Sequence, residues 1–142
     1  PELHNKGVYI MDSRKEQAVS KKLNGYNCAQ AVACTYCDYA GMSEETMAAL
    51  TQGFGAGIGG TMDGTCGAIT GACTVVGLAD AQAGRMKTMK DAGYIMSNFH
   101  KNCGSVTCRE LKGIGSGKML KSCEDCVKEA AALLEDVLNS EN

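Results

Sequence analysis

The sequence predicts an all-α fold, a single domain of about six helices with one glycine-rich loop. Three observations predict it. The apolar fraction of the 142 residues is ordinary, but it holds no Trp and only two Phe. Ala, Gly, Met and Cys take their place, which suits helices packed through small side chains better than strands rich in β-branched and aromatic residues. Apolar residues also recur at helical spacing, and Asn, Ser or Gly stands where such segments would begin or end.

Asp12 is placed to cap a helix running to about Leu23, with Ala18, Val19 and Leu23 at helical spacing. In "NGYN" (24–27), Gly25 can take a positive φ to stop it, and Asn27 can cap the next. That second helix is expected from Cys28 to about Ala40, closed by Gly41. Ser43 caps a third, "SEETMAALTQG", whose Glu44 and Glu45 suit the positive end of the helix dipole. Residues 53–71 carry eight glycines and read as a loop opening into a Gly- and Ala-rich helix to about Ala83. Residues 85–101 read as an amphipathic helix with Met86, Met89, Ala92, Gly93, Met96 and Phe99 along one side. "NCGSVTCRELKGIGSGK" is expected to be loop and turn. Ser122 begins a last helix, "SCEDCVKEAAALLEDVL", with Val127, Ala130, Leu134 and Val137 as its apolar positions. No segment reads as a strand, and residues 1–11 read as a leader or flexible start.

Several function classes fall away. A net charge of −2 and scattered Lys and Arg leave no electrostatic footprint for nucleic acid. No apolar run reaches the ~18 residues that span a bilayer, and no start resembles a signal peptide, so a cytoplasmic protein is expected. Gly55-Ala56-Gly57-Ile58-Gly59-Gly60 spells G-x-G-x-x-G, but a helix precedes it rather than a strand, which argues against dinucleotide binding. His4 and His100 are the only histidines and read as surface residues. No Cys-x-x-Cys is followed by His, since Asp38 follows Cys37 and Val127 follows Cys126, so covalent haem attachment is ruled out.

Nine cysteines is the unusual number. An odd count without a secretion signal points to metal ligation or redox chemistry rather than a disulfide framework. Some of the nine serve as small core hydrophobes. Two Cys-x-x-Cys pairs occur, and each puts two sulfurs on one helix face. Cys34–Cys37 reads as mid-helix core thiols. Cys123–Cys126 opens the last helix, where the dipole should favour the Cys123 thiolate. Cys103 and Cys108 have a ferredoxin-like spacing, but the Cys-x-x-Cys that should follow is missing.

At "GYNCAQAV", "GFGAGIGG…TCGAITGA", "NCGSVTCREL" and "CEDCVKEAAALLEDVL" the sequence resembles the C-GCAxxG-C-C family of redox-active proteins. The resemblance covers nearly the whole chain after about Lys15, although Cys66-Gly67-Ala68 stands where the family name spells Gly-Cys-Ala. It implies a small helical prokaryotic protein, similar to the iron–sulfur part of split-Soret cytochromes. The family's cysteines carry over to Cys28, Cys66, Cys108 and Cys123, leaving Cys34, Cys37, Cys73, Cys103 and Cys126 as extras.

The leading expectation is therefore a redox and electron-transfer protein in which Cys28, Cys66, Cys108 and Cys123 ligate an iron–sulfur cluster beside the glycine loop, served by a redox partner protein. Two rivals stand beside it. One is a thiol–disulfide oxidoreductase with Cys123 as nucleophile. The other is a structural zinc site in an interaction module. Small-residue helix faces leave room for a homodimer.

Overall fold

The computed structural model describes residues 12–140 in full, and of residues 1–11 only the backbone at 2–4 and 8–10. The His4 side chain and the reading of residues 1–11 as a leader lie outside the described residues. There β1 (Glu2–His4) pairs antiparallel with β2 (Val8–Ile10), which the sequence reading did not anticipate. Val8, Tyr9 and Ile10 are good strand formers, but three residues are too few for a period to show.

The rest is helical: α1 (Lys15–Leu23), α2 (Cys28–Thr35), α3 (Glu44–Thr51) with a 3-10 turn (Gln52–Phe54), α4 (Gly67–Ala79), α5 (Arg85–Cys103), α6 (Cys108–Lys112) and α7 (Cys123–Leu138). α6 is the helix beyond the expected six, and its five residues are again too short to read from periodicity. Three expected caps form. The Asn27 side chain accepts from the Gln30 N–H while Gln30 reciprocates, Ser43 accepts from Thr46, and Ser122 accepts from Asp125. Asp12 does not cap α1. Arg14 holds that position, and its backbone N–H donates instead to the Glu135 carboxylate of α7 at 2.7 Å.

α2 is shorter than expected. Turns carry the chain from Tyr36 to Gly41, so Cys34–Cys37 straddles the helix end instead of lying mid-helix. α4 likewise stops at Ala79 rather than near Ala83. On α5 the buried stripe is Asp91, Ile95, Phe99 and Cys103, while Met86 and Met89 are 87% and 65% exposed. Phe99 is buried as the expected stripe required, but the rest of the core face is that stripe turned by roughly 80° around the helix.

α2 packs against α1, α3, α4 and α7. Its Val32 and the Tyr36 just beyond it join Met47, Ile69, Val75, Ile95, Phe99, Leu111 and Leu134 in one apolar cluster. The α2–α4 crossing is backbone to backbone. A Cβ on Gly71 would run into the Ala29 carbonyl oxygen, so only glycine permits this approach. The crossing sets the start of α2 beside the start of α4, and with them Cys28 beside Gly67.

Candidate redox site

Four cysteines occupy four helix starts. Cys28 is the first residue of α2, Cys66 the N-cap of α4, Cys108 the first residue of α6 and Cys123 the first of α7. All four line one cavity of about 130 Å³, together with Cys126, Lys22, Lys112, Lys121, Asn27 and Leu111. Cys28, Cys66, Cys108 and Cys123, the four residues expected to come together, all line this one cavity.

The backbone shows how. The glycine loop pairs with the segment before α6: Cys66 N–H donates to Val106 O at 2.8 Å, Cys108 N–H to Gly64 O at 3.0 Å and Arg109 N–H to Met62 O at 2.8 Å. These bonds hold Cys66 and Cys108 on neighbouring strands of chain. A Cβ on Gly57 would lie 2.8 Å from the Cys108 Cβ, so the loop can press against that cysteine only as glycine. Ala56, Ile58 and Met62 take left-handed backbone in the same loop, with φ of 47°, 71° and 63°. Such conformations are costly for L-residues and cluster at functional loops. Leu111 O then accepts from Leu120 and Lys121 N–H, which brings Ser122 and the start of α7 to the cavity.

Electrostatically the thiols fall into pairs. The Cys28 thiol donates towards Cys123, and this contact is the main reason the Cys123 thiol is lowered to about 6. Burial opposes the shift, while Lys112 and Lys22 add to it. The same contact, with burial, pushes Cys28 well above the ordinary thiol range. The helix start thus has the expected direction at Cys123, but the leading agent is a neighbouring thiol. In the second pair Cys126 donates towards Cys66 and holds its pKa down against burial, helped by the Ala68 and Ile69 N–H groups at the start of α4. Those N–H groups face the sulfur without closing a formal cap hydrogen bond. Cys126 is correspondingly pushed up. Burial raises Cys108, opposed by Lys112. Burial disfavours the Lys112 charge, but Cys123 and Cys108 outweigh it and raise its pKa. Among the described residues no group of three or more His, Cys, Asp or Glu is arranged to hold a metal ion.

The profile of one protein family, described as "Putative redox-active protein (C_GCAxxG_C_C)", matches residues 26–137. The chain belongs to that family. The matched span takes in all five cavity cysteines of this C_GCAxxG_C_C protein. Neither a curated protein nor a solved structure matches it. Among its described residues no helix is long and apolar enough to cross a membrane.

The remaining cysteines of the C_GCAxxG_C_C protein stay outside the cavity lining. Cys103 is buried and raised to about 11 by burial, yet it lies within electrostatic reach of Cys66 and Cys126. Cys34 is also raised to about 11, first by burial and then by Glu44, and its sulfur donates to Glu44 O at 3.6 Å. Burial raises Cys73 on α4, and Cys37 is half-buried. His100 is exposed, as expected. Sequence reasoning held Cys126 only as an extra cysteine that could stand in for a neighbouring ligand, and passed over the three lysines. The signal for Cys126 was its three-residue spacing from Cys123 on one helix face. That for Lys112 was its place one turn beyond Cys108. Nothing local marked Lys22 or Lys121.

Proposed function

We propose that Cys28, Cys66, Cys108 and Cys123 hold an iron–sulfur cluster in this cavity, and that the protein exchanges single electrons with a redox partner protein. The observation that carries this reading is that four cysteines, from the starts of four helices, line one cavity. Four cysteine thiolates are the usual complement of such a cluster, which when bound supplies one-electron redox chemistry.

The chain's own groups suit that load. Cys66 and Cys123 are already biased to the thiolate, while Cys28 and Cys108 must release protons on ligation. Helix-start N–H groups and Lys22, Lys112 and Lys121 offset the added negative charge. Leu111 and Ala56 supply apolar wall that limits water. A single zinc ion would need its sulfurs about 2.3 Å from one point. The four cysteines line a cavity of about 130 Å³, a space that suits a group larger than one ion.

The test is anaerobic purification followed by iron and sulfide analysis and an absorption spectrum. Stoichiometric iron and sulfide with visible absorption, lost in Cys108→Ala, are expected. Stoichiometric zinc, or neither iron nor sulfide, would overturn the reading.

A second reading is thiol–disulfide exchange, with Cys123 attacking and Cys28 resolving. The Cys28–Cys123 contact and the lowered Cys123 thiol favour it. It calls for a reversible dithiol couple in metal-free protein, abolished by Cys123→Ser.

A further inference from the structure

Most of the stripe that the sequence reading assigns to the core face of α5 is left without a partner. Met86, Met89 and Met96 are exposed, and so is Gly93 between them, with open space where its Cβ would stand. His100, also exposed, follows one turn on. Positions 86, 89, 93, 96 and 100 step by three and four in alternation, which is the spacing of a coiled-coil seam. At about 100° per residue they fall within roughly 80° of one another, the width of a helix–helix seam rather than of a core face. Arg85 and Lys90 stand on the two edges of this seam. Both are exposed, and neither makes an ion pair among the described residues. The carboxylates around α5 are already engaged. Lys87 holds Asp80 at 3.3 Å and the buried Asp91 at 2.5 Å, while Tyr94 donates to Asp136 and Asn102 to Glu129, each at 2.8 Å.

We propose that this face of α5 docks a helix of another protein, one with an apolar seam and Asp or Glu along its edges. The spacing selects a helix, because side chains repeating in this way insert as knobs between those of a facing helix. Methionine suits a surface that must fit a partner, being flexible and polarizable. Gly93 leaves a gap in mid-seam that a large apolar knob of the partner can fill. The charge then selects the chemistry of that partner. If two copies of α5 paired in parallel, Lys90 of one would face Arg85 of the other. If they paired antiparallel, Lys90 would face Lys90 and Arg85 would face Arg85. Either arrangement sets like charges together along the seam, and edge charges of this kind decide which helices pair. A second copy is therefore disfavoured, and a helix with acidic edges meets both cations. About two heptads of contact make a small interface, in the size class of transient complexes. No residue of α5 lines the cysteine cavity, so the docking face is independent of what that cavity holds.

The test titrates the full-length protein into a synthetic helix of about three heptads, with Leu at the seam positions, Glu on both edges and a single Trp. The chain itself holds no Trp, so fluorescence anisotropy reports the peptide alone. A twin peptide with Lys on both edges is the control. The Glu-edged peptide should bind at least about tenfold more tightly than its twin, a difference of about 1.4 kcal/mol or more, and added salt should narrow the gap. Met89→Glu should weaken binding of the Glu-edged peptide by about tenfold or more. The double variant Arg85→Glu, Lys90→Glu should reverse the preference between the two peptides. All three positions are exposed, and circular dichroism checks that the variants keep their helices. Equal binding of both peptides, binding of neither, or binding untouched by the variants overturns the proposal. So does a dimer in analytical ultracentrifugation that Met89→Glu abolishes, since α5 would then cover itself. Co-sedimentation with phosphatidylglycerol–phosphatidylcholine vesicles that Met89→Glu abolishes also overturns it, because a lipid surface would then be the occupant.

Discussion

Gly71→Ala should destabilise the protein although Ala is the better helix former. The added Cβ would lie 2.9 Å from Ala29 Cα and 3.0 Å from Ala29 C, and nearer still to the carbonyl oxygen. Carbon contacts are most favourable at about 3.5–4.0 Å, so α2 and α4 would have to separate by roughly 0.5–1 Å. Overpacking of this kind costs about 1–3 kcal/mol. The obstacle is backbone, which cannot swing aside, so the upper part of that range applies. Gly→Ala in a helix interior returns about 1 kcal/mol, leaving a net loss of about 1–2 kcal/mol. Gly77 is the control, because it lies on the same helix and a Cβ there meets nothing within 4 Å. Gly77→Ala should therefore stabilise by about 0.5–1 kcal/mol. Urea unfolding of both variants beside the wild type measures the contrast. The separation would also move Cys28 against Cys66, so Gly71→Ala should lose site chemistry that Gly77→Ala keeps. Equal stabilisation by both substitutions would refute the close crossing and the site geometry built on it.

Three further outcomes follow from the same contacts. Tyr36 is buried and its hydroxyl donates to the Glu135 carboxylate, so Tyr36→Phe should cost about 1.5–3 kcal/mol in denaturant unfolding. Asp80 caps the C-terminal end of α4, and burial, then its contact with Asp91, raises its pKa despite Lys87. A carboxyl raised in the folded state leaves stability intact below its unfolded pKa and removes it as pH rises through the folded value. Asp80→Asn should thus stabilise the protein at pH 7, with a gain that shrinks to nothing on acidification below about pH 4; a pH-independent gain would contradict the cause given. In metal-free protein, Cys123 alkylation should rise with pH through about 6. Cys28→Ala should move that midpoint upward more than Lys112→Met does, because the Cys28 thiol is the leading cause and Lys112 the lesser. The reverse order in iodoacetamide rates would refute the assignment.

The parts legible in the sequence were those set by local rules. Asn27, Ser43 and Ser122 announce helix starts because their side chains satisfy N–H groups two or three residues on. The same starts placed Cys28 and Cys123, and the glycine run marked the loop beside Cys66. What stayed hidden depends on contacts distant in sequence. Arg14 rather than Asp12 begins α1 because Glu135 on α7 takes its N–H. The α5 core face follows where α4 and α7 dock, which periodicity cannot rank between two apolar stripes. The partner of Cys126 could not be read at all, because local spacing names Cys123 while the fold supplies Cys66.

That last mismatch bears on why the thiols stand at helix starts. Burying several thiolates in one small cavity is costly unless each negative charge meets compensation. Side chains supply part of it through Lys22, Lys112 and Lys121, all of which line the cavity. The rest comes from backbone, as the Ala68 and Ile69 N–H groups show at Cys66, and from thiols that keep their protons and lend them to a neighbour. Compensation from backbone and from neighbouring thiols does not depend on solvent ions, and it places one thiolate in each pair beside one proton donor. In the cluster reading proposed above Cys28 would give up its proton on ligation, and in the thiol–disulfide reading it would give it up on pairing with Cys123.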